Sequence, residues 1–137
     1  MSKTYAGDCE CGRIRIELEV PKPLEDHVPR ACQCDYCQLN GGVFFSDPDG
    51  RATIYGEEHL VSETQGSQQA RMLLCGVCRR LVCATYSHDG KCLAAVSALF
   101  IGAKQWLKDA MPVSPEDLSP EEKAGRWAKL WMPIEFR

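Results

Sequence analysis

The run Cys32-Gln-Cys34-Asp-Tyr-Cys37 puts three thiols into six consecutive residues. Thiolates are soft metal ligands, and a closed structural zinc site takes four of them. Three sulfurs in one turn must either recruit a fourth from elsewhere or leave one coordination position to an exchangeable ligand. Two more knuckles lie along the chain, Cys9-Glu-Cys11-Gly12 and Cys75-Gly-Val-Cys78, and Cys83 and Cys92 stand singly in strand-like sequence. Nine cysteines in 137 residues cannot all pair as disulfides. C-x-C and C-x-x-C spacings fit metal ligation better than a disulfide framework.

Spacing alone leaves the grouping open. Cys9 and Cys11 with Cys75 and Cys78 would make one Cys₄ centre and leave Cys32, Cys34 and Cys37 as a triad. Cys34 and Cys37 with Cys75 and Cys78 would make an ordinary zinc ribbon instead. An iron–sulfur cluster also takes four cysteines, but it would not need three knuckles.

Between the knuckles the sequence reads as short strands followed by a helical tail. Ile14, Ile16, Leu18 and Val20 alternate with charged residues, the period of a half-buried strand, and Pro21 stops it. Val43–Phe45, Ala52–Tyr55 and Arg71–Cys75 predict further strands, and Leu81–Tyr86, the turn at His88-Asp-Gly90 and Cys92–Leu99 predict a hairpin. Past Phe100, Ser119-Pro-Glu-Glu122 carries a capping box with proline in the first turn. Ala124, Trp127, Ala128 and Trp131 then share one helical face, and Pro133 is expected to end the helix. That face predicts a tail docked on the sheet, with a lid over a pocket as the alternative. The expectation is one domain over residues 1–137, mainly β, with a core over about 5–106 and a helical tail over about 107–137.

Composition narrows the function. Nineteen acidic residues against sixteen lysines and arginines give a net charge of −3, which argues against nucleic acid. The longest uncharged apolar run, Cys92 to Ala103, is well short of the roughly 20 residues of a membrane span. The N-terminal stretch lacks the apolar segment of a secretory signal, so the expected location is the cytoplasm.

The order Gly7-Asp-Cys9-Glu-Cys11-Gly12, then Cys32-Gln-Cys34-Asp-Tyr-Cys37 with Gly41-Gly42, then Cys75-Gly-Val-Cys78 resembles the glutathione-dependent formaldehyde-activating enzyme family. That family is also described as S-(hydroxymethyl)glutathione synthase-like or centromere protein V-like. The resemblance runs from about Tyr5 to Trp106. It implies a compact, zinc-stapled β fold with two zincs per chain. Cys9, Cys11, Cys75 and Cys78 would hold a structural zinc, and Cys32, Cys34 and Cys37 a catalytic one. It implies a carbon–sulfur lyase acting on a thiol–aldehyde adduct such as S-(hydroxymethyl)glutathione. The alternatives are a non-catalytic two-zinc binding module and a family enzyme with another substrate. Gln33, Gln38 and Arg79-Arg80 depart from the residues usual beside the family's knuckles.

A small thiol with carboxylates would seek cations, and Arg30, two residues before Cys32, is the nearest, with Arg71, Arg79 and Arg80 as further candidates. Asp35 is expected to cap the knuckle turn rather than to carry a proton. His27, His59, His88 and Cys83 are the candidates for a fourth ligand. His59 and His88 read as exposed, and Cys83 and Cys92 as core thiols.

Overall fold

The computed structural model describes residues 2–64, 69–102, 107–114 and 118–137. In chain order the elements are β1 (Lys3–Asp8), β2 (Arg15–Val20), β3 (Arg30–Cys32), α1 (Asp35–Asn40), β4 (Val43–Phe45) and β5 (Arg51–Tyr55). They continue with β6 (Leu60–Thr64), β7 (Arg71–Cys75), β8 (Leu81–His88), β9 (Lys91–Ser97), β10 (Met111–Val113), α2 (Pro120–Leu130) and β11 (Met132–Phe136). The fold is mainly β, with a short helix near the C-terminus.

The described strands form one branched sheet. Its path runs β1-β2-β5-β11-β9-β4-β3-β10, and β8 leaves β9 to carry β7 and β6. The branch arises because β9 uses both edges. One pairs with β8 from Cys83↔Val96 to His88↔Lys91, and the other with β11 at Ala94 and then with β4 at Val96 and Ser97.

Alternation along these strands sorts side chains to two faces. Ala94 and Val96 of β9, Phe45 of β4 and Cys83 of β8 join Ile14, Ile16, Leu18, Val20 and Ile54 in the main core. The opposite face carries Met72, Leu74, Leu81 and Ala84, with Phe44, Tyr36 and Trp131 packed on them. Helix α2 lies against this second face. Trp127 meets the Tyr86 ring edge-on at 5.4 Å and stacks on Trp131 at 4.9 Å. Ser119 and Glu122 make the expected capping box, so the start of the helix and its docking follow the sequence pattern.

The end of the helix departs from that pattern. The helix stops at Leu130, and Pro133 lies inside β11, opposite Leu93. Met132-Pro-Ile-Glu-Phe136 is a central strand, antiparallel to β9 at its start and parallel to β5 at its end. Pro133 is tolerated because it sits near the strand start, where its missing N–H breaks little of the ladder. The tail is therefore built into the sheet as well as laid upon it. β1, β3, β6 and β10 are also strands without a clear alternation of their own: β3 and β10 span three residues each, and β1 carries small residues at Ala6 and Gly7.

Candidate metal centres

Four cysteines meet where two turns end. The turn after β1 is closed by Gly12 N–H to Cys9 O at 2.9 Å, with Gly12 left-handed at φ 75°. The turn after β7 is closed by Arg79 N–H to Cys75 O at 2.9 Å, with Arg79 itself left-handed at φ 64°. The ligand atoms of Cys9, Cys11, Cys75 and Cys78 all lie within 4.8 Å of one another. Cys9 and Cys11 sulfurs are 3.2 Å apart, Cys11 and Cys75 3.4 Å, and Cys9 and Cys75 4.0 Å. A tetrahedral ion with bonds of about 2.3 Å would set its sulfurs about 3.8 Å apart, so the donor set fits a metal. Ile14 N–H donates to Cys9 Sγ at 3.3 Å. The Arg13 backbone N–H, with Cys9 beside it, lowers the Cys11 thiol to about 6, whereas burial pushes Cys75 up to about 11.

The second cluster is built locally. Cys34 caps α1, its sulfur accepting from Cys37 N–H at 3.4 Å. Cys32 arrives from β3, 3.4 Å from Cys34, and the three ligand atoms again lie within 4.8 Å of one another. All three cysteines are buried. Gly41 ends α1 in the left-handed conformation, and Gly42 runs so close that a Cβ there would lie 2.7 Å from Cys37 Sγ. Burial is the main force raising the Cys34 thiol, while contact with Cys32 and then burial raise Cys37. Three buried sulfurs that resist ionisation want a cation among them, and here too the donor set fits a metal. Gln38 donates to Gln33 O, and Gln33 Nε2 to Ala31 O at 2.9 Å, so these two glutamines brace the knuckle.

Zinc-ribbon pairing of Cys34 and Cys37 with Cys75 and Cys78 is not the arrangement found, because the two knuckles belong to different clusters. Cys83 is wholly buried in the main core, and Cys92 packs against that core. His27 is turned away from the sulfurs. Its Nδ1 donates to Pro23 O at 2.9 Å and its Nε2 lies 2.8 Å from Asp47 Oδ2, with both side chains 6% exposed. His59 lies 3.5 Å from Glu58, and its backbone carbonyl accepts from Gly76 N–H in the Cys75–Cys78 knuckle. The side chains of Asp35 and His88 lie outside the described residues.

Around the triad, Phe44, Tyr36 and Val113 supply apolar contact. Tyr36 hydroxyl donates to Glu63 at 3.1 Å, and burial followed by that carboxylate pushes its pKa up to about 12. Tyr36 therefore acts as a donor at neutral pH. Arg79 and Arg80 reach Glu63 and Glu10. Arg30 donates to Ser46 Oγ at 3.2 Å, and burial, with the Arg126 charge behind it, holds its guanidinium below the ordinary value. Sequence reasoning assigned no role to Phe44, which belongs to no motif, or to Tyr36, whose place inside the second knuckle says nothing of its partner Glu63, 27 positions away.

The profile of the glutathione-dependent formaldehyde-activating enzyme family matches residues 4–116. The chain belongs to that family. A crystal structure of a Rhodobacter sphaeroides protein superposes with a TM-score of 0.55 at 23% identity, covering 83% of this chain and 94% of that one. At that identity the likeness speaks for the fold. Comparison with curated proteins finds no match. Among the described residues no helix is long and apolar enough to cross a membrane.

Proposed function

We propose that this protein is a cytoplasmic, zinc-dependent carbon–sulfur lyase acting on a thiol–formaldehyde adduct, with S-(hydroxymethyl)glutathione as the default substrate. In this reading Cys9, Cys11, Cys75 and Cys78 hold a structural zinc, and Cys32, Cys34 and Cys37 hold a catalytic one. The observation that carries it is the separate convergence of three buried sulfurs, two residues along β3 from a half-buried arginine that has no carboxylate partner among the described residues. Zinc at the triad would take a substrate thiol as thiolate at neutral pH, where a free thiol of pKa about 8.5 is mostly protonated.

The chain's own groups do the rest. Cys37 N–H and the Gly41-Gly42 turn hold the sulfurs on one side. Phe44, Tyr36 and Trp131 form an apolar wall that keeps water from the reacting carbon. Arg30 offers its free N–H donors to a substrate carboxylate. In the lyase direction the C–S bond of the adduct breaks, its hydroxyl proton leaves, and the products are formaldehyde and the thiol. Synthesis runs the same steps backwards.

The test is exchange spectroscopy by carbon NMR on glutathione, labelled formaldehyde and zinc-loaded protein. Exchange should exceed that in buffer, and Cys34→Ser should remove the excess. Unchanged acceleration in Cys34→Ser would sink the reading.

A further inference from the structure

Two non-glycine residues among those described have left-handed backbone, Arg79 at φ 64° and Asp89 at φ 50°. Asp89 sits in the turn between β8 and β9, and a short polar side chain tolerates that conformation. Arginine gains nothing locally from it, and the position favours glycine. A strained residue persists only where its surroundings hold it. Arg79 is held at both ends. Its N–H closes the Cys75–Cys78 knuckle on Cys75 O, and its guanidinium reaches Glu63 Oε1 at 3.1 Å.

Glu63 carries the contact onward. Its other oxygen, Oε2, accepts from the Tyr36 hydroxyl at 3.1 Å. Glu63 stands on β6 opposite Met72 of β7, and Met72 belongs to the cluster on which the Tyr36 ring packs. The same ring packs against the cluster of Cys32, Cys34 and Cys37. Tyr36 lies between Cys34 and Cys37 in α1, a helix of six residues, too short to keep its place without tertiary contacts. Two polar contacts therefore run from the turn that aims Cys75 and Cys78 to the turn that aims Cys34 and Cys37. Because the shared acceptor is a carboxylate, both contacts are charge-assisted, and the hydroxyl is held more firmly than by a neutral acceptor.

We propose that Arg79, Glu63 and Tyr36 form a strap through which the Cys75–Cys78 turn positions the sulfurs of the triad, so that the triad's affinity for metal depends on residues that touch none of its ligand atoms. This rests on the reading of the triad as a metal centre and not on the substrate assigned to it. Tyr36 and Glu63 are positioning residues in this scheme. Arg79 sets the far end of the strap, and its place in the opposite turn accounts for an arginine where the backbone favours glycine. A group that orients metal ligands at one remove is worth about tenfold in affinity, and an exposed ion pair one step further about threefold.

Cobalt(II), which suits the same ligands as zinc and absorbs visible light, is the probe. The cobalt-loaded full chain is titrated with a chelator, and the equivalent missing in Cys34→Ser is the triad's. Its affinity should fall about tenfold in Tyr36→Phe, which keeps the ring, and in Glu63→Gln, which has one carbonyl oxygen for two donors. It should fall about threefold in Arg79→Gly, and Arg79→Lys should keep part of what glycine loses. The double variant Tyr36→Phe, Arg79→Gly should be no weaker than Tyr36→Phe alone, because the strap is already cut. Arg137→Gln, which removes a 3.1 Å ion pair to Glu135, should leave the triad unaltered. Glycine suits the turn at position 79, so Arg79→Gly should not lower the urea midpoint even as it weakens the triad. An affinity unmoved by Arg79→Gly, a double variant that loses the product of the two, or losses that track the midpoints would overturn the strap and leave the metal reading standing. Uptake of a single cobalt by the wild-type protein would overturn both.

Discussion

The two cysteine clusters offer the same ligand atoms in opposite settings. The first joins turns far apart in sequence, since Cys9 and Cys75 are 66 residues apart, and backbone N–H groups favour its thiolates at Cys11. The second gathers three sulfurs from a single short stretch, and burial works against their charge. A closed four-sulfur site between distant strands stabilises the fold, because the loop it closes is long. A metal at a local three-sulfur site would close almost no loop, so it would contribute little to folding and be free to serve chemistry. Proximity of ligands is common to both; what differs is which loop the metal would tie.

The largest expected effect would break this contrast if it failed. Cys75→Ser should lose the fold, because structural zinc sites contribute about 10–16 kcal/mol while domains are stable by about 5–15 kcal/mol. Far-UV circular dichroism should show this, whereas Cys34→Ser should keep its spectrum and lose one equivalent of metal. Similar behaviour of the two variants would end the proposed division.

The next effect asks what steadies the second cluster if not its metal. The His27–Asp47 pair ties the loop before β3 to the turn after β4, the two strands that lead into and out of the knuckle. Pro23 O can only accept, so Nδ1 carries hydrogen, and Asp47 also takes the Asp49 N–H at 3.0 Å. His27→Ala would strand a buried carboxylate, at a cost of about 3–5 kcal/mol in urea unfolding. A loss under about 1 kcal/mol would mean that the loop does not depend on this pair.

The smallest effect concerns acid. In the metal-free protein the Cys34 and Cys37 sulfurs hold protons more tightly than an ordinary thiol, so on acidification protons compete with a metal there first. In the metal-free first cluster Cys75 is raised as well, and Cys11, lowered by the Arg13 N–H, is the sulfur that keeps its charge down to about pH 6. A chromogenic chelator should therefore record metal release in two steps, the triad's first, with that step missing in Cys34→Ser. Release in one step, or in the reverse order, would contradict the electrostatic contrast.

Much of the molecule could be read locally. The Ile14–Val20 alternation, the β8–β9 hairpin and the Ser119–Glu122 cap each rest on residues within a few positions of one another, and all three form as expected. β11 could not be read this way. Its five residues hold a proline, and only the free edges of β9 and β5 make Met132–Phe136 a strand. His27 likewise read as a possible ligand because its partner, Asp47, is 20 positions away.

By itself the sequence determined the ligand type, the number of knuckles and the turn chemistry that aims two sulfurs from each, since these depend on short-range geometry. Tertiary structure alone decided that Cys9 and Cys11 meet Cys75 and Cys78, and that Trp127 of α2 meets Tyr86 of β8. Such meetings depend on strand register and on which face of the sheet a helix covers. Both are set by burial summed over the whole chain, which no local pattern contains.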